Sequence, residues 1–399
     1  MDEWLSPEVQ TPAAAVPQRG ARLPTFLGLR SEAGPALDAL CVAVIGAGSV
    51  GRPMALHLAR AQVGEIRVVD PGRYKPEGLL TQPITAADVG EAKASNTARL
   101  CRQLSPTTGV WAFDGPAQAL APAALADVDV VLLATDNLTA EVEVGQRCLW
   151  LRRPLLQASV HGDTLVAQVR FFRNADGEGP CPACAFGPAE WAHLNLETTF
   201  SCEGRGNGRA TGRTVTPPTR SVSFLCSLAA DLALTQLFRF VMKLGEPLLD
   251  SVLEHCGYTH RTVLSCLKRN PARPCDHTAW ERAGAPPPLA DCTPRELARA
   301  AGLGEEADTI GVSLAVDALP FVERGTCALC VKEQEVGRFG AAGCCPACGG
   351  PVEAQPFSTH RAVSAALLRP VLDNRLRELG AVEARSVVVR GAGRAVLVQ

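Results

Sequence analysis

Residues 44–51 read VIGAGSVG. With CVA ahead of it, this is a short apolar run of the kind that a strand buried on both faces requires. It ends in three glycines, Gly46, Gly48 and Gly51, spaced G-x-G-x-x-G. The residues behind it, SVGRPMALHLARAQV, carry helical periodicity. Glycine at such a junction permits a tight turn and close backbone approach, and the first N–H groups of the helix stay free to meet a phosphate. EIRVVD comes next as a second strand that ends on Asp70, where a carboxylate can accept hydrogen bonds from ribose hydroxyls. This much suits NAD, FAD, S-adenosylmethionine and ATP equally.

Further along, SNTARLCRQLS reads as a helix, VWAFDG as a strand, and APAALADVDVVLLATDN as a helix followed by a strand. RCLWLRRP and LLQASVHGDTLVAQVRFF continue the alternation. A β-α-β-α rhythm with apolar strands predicts a doubly wound, Rossmann-like α/β fold with a mainly parallel sheet. The longest apolar run, SVSFLCSLAADLALTQLFRFVM, is interrupted by Asp231, Gln236 and Arg239, so it reads as a buried helix and not as a membrane span. GAPPPLADCTPRE reads as a linker, and beyond it RSVVV and RAVLV form two short strands about a Gly-Ala-Gly turn. The expected division is a flexible lead-in over 1–36, an α/β domain over 37–285 and a small C-terminal region over 286–399.

Composition narrows the function classes. The chain has 399 residues, enough for two or three domains, and a net charge of -2. There is neither a basic excess for nucleic acid nor an acidic tail. The first residues are polar and rich in Pro and Ala, without the apolar core of a signal peptide. The expectation is a cytoplasmic protein that binds no nucleic acid and no membrane. Arginine outnumbers lysine 34 to 5, so a lysine at a motif position is seldom there by chance. Sixteen cysteines in a reducing cytosol read as metal ligands, nucleophiles or small core residues before disulfides.

The choice among cofactors turns on the residues after Asp70. The chain reads VVDPGRYKPEGLLTQ, then DVGEAKASNTARL, and later VVLLATDN. Over about residues 40–280 it resembles the ThiF/MoeB/ubiquitin-activating family of ATP-dependent adenylating enzymes. Asp70, the Tyr74, Pro76 and Glu77 run, Gln82, Gly90, Lys93, Ala94 and Asp136 match that family's order and rough spacing. The resemblance implies ATP and Mg2+, with Gly46, Gly48, Gly51, Asp70, Gln82, Lys93 and Asp136 as nucleotide-binding residues. Lys93 would neutralise charge growing on the phosphates, and Asp136 would hold the Mg2+ that bridges them. The chain departs from the family at Gly78 and Thr81, where Asn and Arg are usual, and at Gly72, where a second acid usually sits. Arg52 and Arg73 are nearby cations that could compensate. Arg22 or Arg30 could reach a partner subunit of the homodimer that the resemblance implies.

The cysteines extend the likeness. CPAC sets Cys181 and Cys184 at zinc-knuckle spacing. Many family members carry a second pair after an R-N-P sequence. Here Arg269, Asn270 and Pro271 precede Cys275 and His277, with Cys256 and His260 as competing ligands. Independently of the family, Cys327-x-x-Cys330 and Cys345-x-x-Cys348, with Cys344 as a spare neighbour, read on spacing as a zinc ribbon that needs its metal to fold. Two structural Zn2+ sites are therefore expected. Cys202 lies in TTFSCEGRGNGRATGRTVTPPTRS. The resemblance implies a crossover cysteine that takes the acyl group as a thioester, with Arg205, Arg209 and Arg213 favouring its thiolate. The plain alternative is an exposed loop cysteine or a stray zinc ligand. Cys41, Cys101, Cys148 and Cys226 read as core.

The expected function is ATP-dependent adenylation of the C-terminal carboxylate of a small ubiquitin-like protein. Thioester formation on Cys202 would then pass it to a ubiquitin-conjugating-type partner. One alternative is a sulfur-carrier adenylyltransferase in a thiamine, molybdopterin or tRNA sulfur pathway, which needs no thioester. The other is a degenerate nucleotide-binding zinc scaffold. A dehydrogenase would leave CPAC and RNPARPCDH unexplained.

Overall fold

A computed structural model describes residues 33–175, 179–197, 221–272, 275–284, 288–303 and 312–399. The chain forms two compact units, one made mostly of residues up to His277 and the other of residues from Thr278 on. Up to His277 the elements are α1 Ala33–Asp38, β1 Cys41–Ile45, α2 Gly51–Arg60, β2 Glu65–Val69, α3 Lys93–Leu104, β3 Gly109–Phe113, α4 Ala123–Ala126, β4 Val130–Leu133 and α5 Leu138–Trp150. They continue as β5 Leu155–His161, β6 Val166–Phe172, α6 Pro188–Glu197, α7 Ser223–Val241, β7 Ser251–Cys256 and β8 Arg261–Cys266.

The eight strands make one sheet in the order β3-β2-β1-β4-β5-β6-β7-β8. β3, β2, β1, β4 and β5 are parallel, and β6, β7 and β8 are added antiparallel. The expected alternation therefore stops at β5. Only a short turn over Gly162–Thr164 and Leu165, at φ 48, joins β5 to β6, whereas a parallel crossover needs a dozen residues or more. β4 is buried along its whole length and β1 at all but its first residue, as the central strands of a sheet covered on both faces must be. The neighbours of β1 leave it on opposite sides, which puts a crevice beyond the carboxyl ends of β1 and β4.

The core joins Val42, Val44, Ile66, Val68, Val130 and Leu132 of the sheet to Met54, Leu58, Ala94, Ala98 and Cys101 of α2 and α3. α7 is long and apolar enough to cross a membrane by length and composition. Here it covers the sheet with Leu225, Cys226, Ala229, Ala230, Ala233, Leu234 and Leu237, all buried. Its polar Asp231 is left outside, 3.6 Å from His57. Burial pushes the thiols of Cys41, Cys101 and Cys148 up to about 12 and that of Cys226 up to about 11, which suits inert core residues and not nucleophiles.

The second unit contains β9 Glu281–Ala283, α8 Pro294–Ala300, β10 Ser313–Val316, β11 Phe321–Cys327, β12 Glu333–Phe339, β13 Val352–Ala354, β14 Thr359–His360, β15 Val363–Ser364, α9 Ala365–Leu368, β16 Val387–Gly391 and β17 Arg394–Val398. One sheet runs β15-β10-β16-β17-β9, and a second runs β12-β11-β13 with β14 on β11. The second sheet is an insertion, because β10 and β15 pair with each other across it. β9 pairs in parallel with β17 and satisfies that strand's outer edge. Residues 281–283 thus lie with the C-terminal unit, on the far side of the expected 285/286 junction.

Candidate nucleotide site and metal centres

β1 ends at Ile45 and the chain turns at Gly46, at φ +94. A Cβ on Gly46 would lie 2.4 Å from the Ala134 carbonyl oxygen, and one on Gly51 would lie 1.8 Å from that of Gly46. Both contacts are to backbone, so neither position has room for a side chain. Gly48 differs, because nothing lies within 4 Å of where its Cβ would be. Its backbone faces open space beside the start of α2, which suits the close approach of a phosphate.

Asp70, at the end of β2, is 8% exposed. Its Oδ2 accepts from Ala47 N at 2.7 Å and its Oδ1 from Gly72 N at 2.7 Å. The carboxylate thus braces the glycine turn, and each oxygen keeps accepting capacity for a ribose hydroxyl. Lys93 opens α3. Its backbone N donates to Gly72 O at 2.9 Å, and its Cε lies 3.4 Å from where a Gly72 Cβ would be. The aliphatic stem of Lys93 therefore crosses the bare Gly72, next to the Asp70 carboxylate. Asp136 is exposed beyond the carboxyl end of β4, two residues after Ala134, which abuts Gly46. Asn137 behind it caps α5 by accepting from Ala140 N at 2.9 Å.

The two expected compensating arginines both have partners within the chain. Arg52 is 2% exposed. Its Nη2 lies 3.2 Å from Asp88 Oδ2 and its guanidinium 4.8 Å over the Tyr74 ring. Nε and Nη1 are sealed from solvent without a partner. The guanidinium is thus turned to Asp88 and the Tyr74 ring. Arg73 is exposed, donates to Gly90 O at 2.9 Å, and lines a cleft of ≈ 320 Å³ on α3 with Ser95, Asn96 and Arg99. Gln82 folds back on Gly78. A Cβ at Gly78 would meet Ile84 Cδ1 at 3.2 Å and the Gln82 amide at 3.4 Å first, so these two side chains take the space beside the bare position. Arg22, Arg30, Cys202, Arg205, Arg209 and Arg213 lie outside the described residues.

Cys181, Cys184, Cys275 and His277 come together, with all four ligand atoms within 4.8 Å of one another. Cys184 Sγ is 3.6 Å from Cys181 Sγ and 3.6 Å from His277 Nε2. A tetrahedral zinc with bonds of about 2.0–2.3 Å spaces its ligands by roughly 3.5–3.8 Å, so the set fits Zn2+. α5 holds both halves of this cluster. Gly145 lets Pro182 approach where a Cβ would lie 2.6 Å from its ring. The Trp150 indole donates to Asp276 Oδ2 at 3.1 Å, and the Gln146 amide donates to the Asp276 carbonyl. Cys256 ends β7 and His260 sits in the β7–β8 turn, and neither joins the cluster.

The model of the ThiF family matches residues 27–276, well over half of the chain. This chain belongs to the ThiF family. It is similar to the adenylyltransferase and sulfurtransferase MOCS3-1 of Zea mays, at 32% identity over 149 residues, covering 36% of this chain and 31% of that protein. It is similar to MOCS3 of Bos taurus at 33% identity over 182 residues, covering 44% and 38%. It is also similar to the sulfur carrier protein ThiS adenylyltransferase of Escherichia coli K12, at 34% identity over 126 residues, covering 30% and 49%. The chain spans about a third of the length of the MOCS3 relatives. Among solved structures, E. coli MccB with succinimide aligns at a TM-score of 0.46 and 18% identity, over 61% of this chain and 68% of that one.

The ribbon cysteines lie beyond the ThiF match. Cys327, Cys330, Cys345 and Cys348 have their sulfurs within 4.8 Å of one another, with Cys327 to Cys348 at 3.4 Å and Cys330 to Cys345 at 3.7 Å. This set also fits a tetrahedral Zn2+. Cys327 Sγ accepts from Cys330 N at 3.5 Å and Leu329 N at 3.4 Å. Those backbone donors, that of Cys330 first, hold its thiol below the ordinary range. Sequence reasoning missed the partners of Arg52. Asp88 is buried and accepts from Thr85 N at 2.8 Å and Asn96 Nδ2 at 2.8 Å. The one local signal was the T-x-x-D capping box over residues 85–88.

Proposed function

We propose that this chain activates the C-terminal carboxylate of a small sulfur-carrier or ubiquitin-like protein as an acyl adenylate. A carboxylate oxygen of the carrier attacks the α-phosphorus of ATP, the bond from that phosphorus to the bridging oxygen breaks, and pyrophosphate leaves. The observation that carries this reading is the Asp70 carboxylate, which spans the cradle amide of Ala47 and the Gly72 turn with the Lys93 stem beside it. In that place Asp70 holds the ribose side, the backbone at Gly48 meets a phosphate, and Lys93 stabilises the charge that builds as pyrophosphate departs. Asp136 would hold Mg2+, which supplies charge neutralisation to the leaving group. The names of the relatives, two adenylyltransferase and sulfurtransferase proteins and a ThiS adenylyltransferase, support a sulfur carrier over a conjugated modifier. Structural Zn2+ in both cysteine clusters, a homodimer and a cytoplasmic setting without nucleic acid or membrane belong to the same proposal.

The test is ATP–pyrophosphate exchange with purified protein, Mg2+ and small β-grasp candidates encoded nearby. The expected result is exchange that depends on the carrier and on its free C-terminal carboxylate. A thiol-sensitive protein adduct lost in Cys202→Ala would instead select the conjugating reading with its thioester. ATP binding without exchange, with the cognate carrier present, would overturn adenylation and leave the scaffold.

A further inference from the structure

We infer that Tyr74, braced by the buried pair Arg52 and Asp88, is a positioning residue that aims the Gly48 N–H of the glycine cradle. Its consequence for nucleotide binding rests on the proposed function; its consequence for the cradle does not.

Ala47 is held on both sides. Its N–H donates to Asp70, and its carbonyl lies 3.0 Å from the Tyr74 hydroxyl, which is also 3.0 Å from Thr97 Oγ1. A carbonyl only accepts, so Tyr74 donates to Ala47 and takes its second bond from Thr97. The peptide between Ala47 and Gly48 is planar and trans, which points its C=O and its N–H in opposite directions. Turning the carbonyl toward Tyr74 therefore turns the Gly48 N–H away from Tyr74. Gly48 is the cradle glycine with open space beside it.

Tyr74 is itself fixed. It is 1% exposed, with Arg52 over its ring at 4.8 Å and Lys93 Nζ at 5.9 Å from the ring centre. Asp88 anchors Arg52, and Thr85 and Asn96 hold Asp88. The contacts thus run from α3 through Asp88 and Arg52 to Tyr74 and the cradle. Three other roles for Arg52 fit the same geometry less well. Direct phosphate contact would require the sealed group to be uncovered. A long-range field fails because a carboxylate 3.2 Å away cancels its charge. Plain stability is a weaker explanation, since apolar residues of similar volume often serve as well as a buried ion pair. What remains is shape, a rigid planar group that keeps the ring from rotating.

Two variants test this in the full-length protein. Tyr74→Phe removes only the hydroxyl, and the double variant Arg52→Met with Asp88→Asn removes both charges while keeping volume. Hydrogen–deuterium exchange of the peptide covering residues 44–51, without nucleotide, should quicken about tenfold in each, and the Kd for ATP should rise about tenfold. Unchanged exchange in that peptide would overturn the inference, as would a Kd unchanged in both variants. Faster exchange spread evenly over the sheet would overturn it too, by reducing the pair to a general stabiliser. A wild-type protein that binds no ATP would instead count against the proposed function, and the exchange measurement would still judge the clamp.

Discussion

Alanine placed at Gly51 and at Gly48 separates a glycine needed by the fold from one needed by the ligand. At the start of α2, helix propensity favours Ala over Gly by up to about 1 kcal/mol. Against this, a Cβ at Gly51 would lie 1.8 Å from the Gly46 carbonyl oxygen, where an ordinary contact is about 3.5 Å. The turn must open by roughly 1.7 Å, and overpacking of this kind costs about 1–3 kcal/mol. Sterics outweigh propensity, so Gly51→Ala should lower Tm by a few degrees and abolish measurable ATP binding. At Gly48 the new methyl meets nothing within 4 Å, so folding stability should stay within about 0.5 kcal/mol of wild type. On the proposed placement that methyl stands where the phosphate would come, and the ATP Kd should rise at least tenfold, about 1.4 kcal/mol. Differential scanning fluorimetry reads the first quantity and isothermal titration with ATP and Mg2+ the second. A Gly48→Ala protein that binds ATP as tightly as wild type would refute the placement of the phosphate. A fully stable Gly51→Ala protein would refute the steric reasoning.

Lys93→Ala should slow ATP–pyrophosphate exchange by about 10²–10³-fold, the usual cost of removing one charge-stabilising group, with a much smaller change in ATP Kd; equal losses in both would place Lys93 in ground-state binding. Cys184→Ser and Cys330→Ser should each remove one of two zinc ions per chain by elemental analysis, and the double variant both; metal content unmoved by either would show that the clusters hold none. Asp88 gives a pH signature. Burial opposes its ionisation, but the Thr85 N–H, the Asn96 amide and Arg52 win and hold its carboxyl down to about 2, from an ordinary 3.8. Its folded value is the lower one, so its contribution is present above pH 4 and fades as pH falls toward 2. Urea melts of Asp88→Asn should be flatter than wild type across that interval, and equal slopes would contradict the assignment.

Local chemistry made much of this protein legible. All-apolar CVAVI and VVLL read as central strands, and the G-x-G-x-x-G after Ile45 reads as a turn, where the Ala134 and Gly46 carbonyls leave no room for a Cβ on Gly46 or Gly51. The four ribbon cysteines were readable for a similar reason: a knuckle places both sulfurs of a C-x-x-C on one ion, whatever the rest of the chain does. Lys93 stood out because lysine is scarce in this sequence.

What the amino-acid sequence determined by itself is the set of strictly local constraints: apolar strands, the glycine turn, knuckle spacings and the ordered motifs of the ThiF family. Among the described residues, tertiary structure decided between residues of equal local merit. Cys275 and His277 close the first cluster in place of Cys256 and His260 because Gln146 and Trp150 of α5 hold the intervening Asp276. Arg52 turns inward because its partner, Asp88, arrives from 36 residues along the chain. β6 turns back because only a tight turn separates it from β5. The first group rests on covalent geometry and hydrophobicity, which act within a few residues. The second rests on which buried charge or edge finds its partner, and that is set only when distant segments meet.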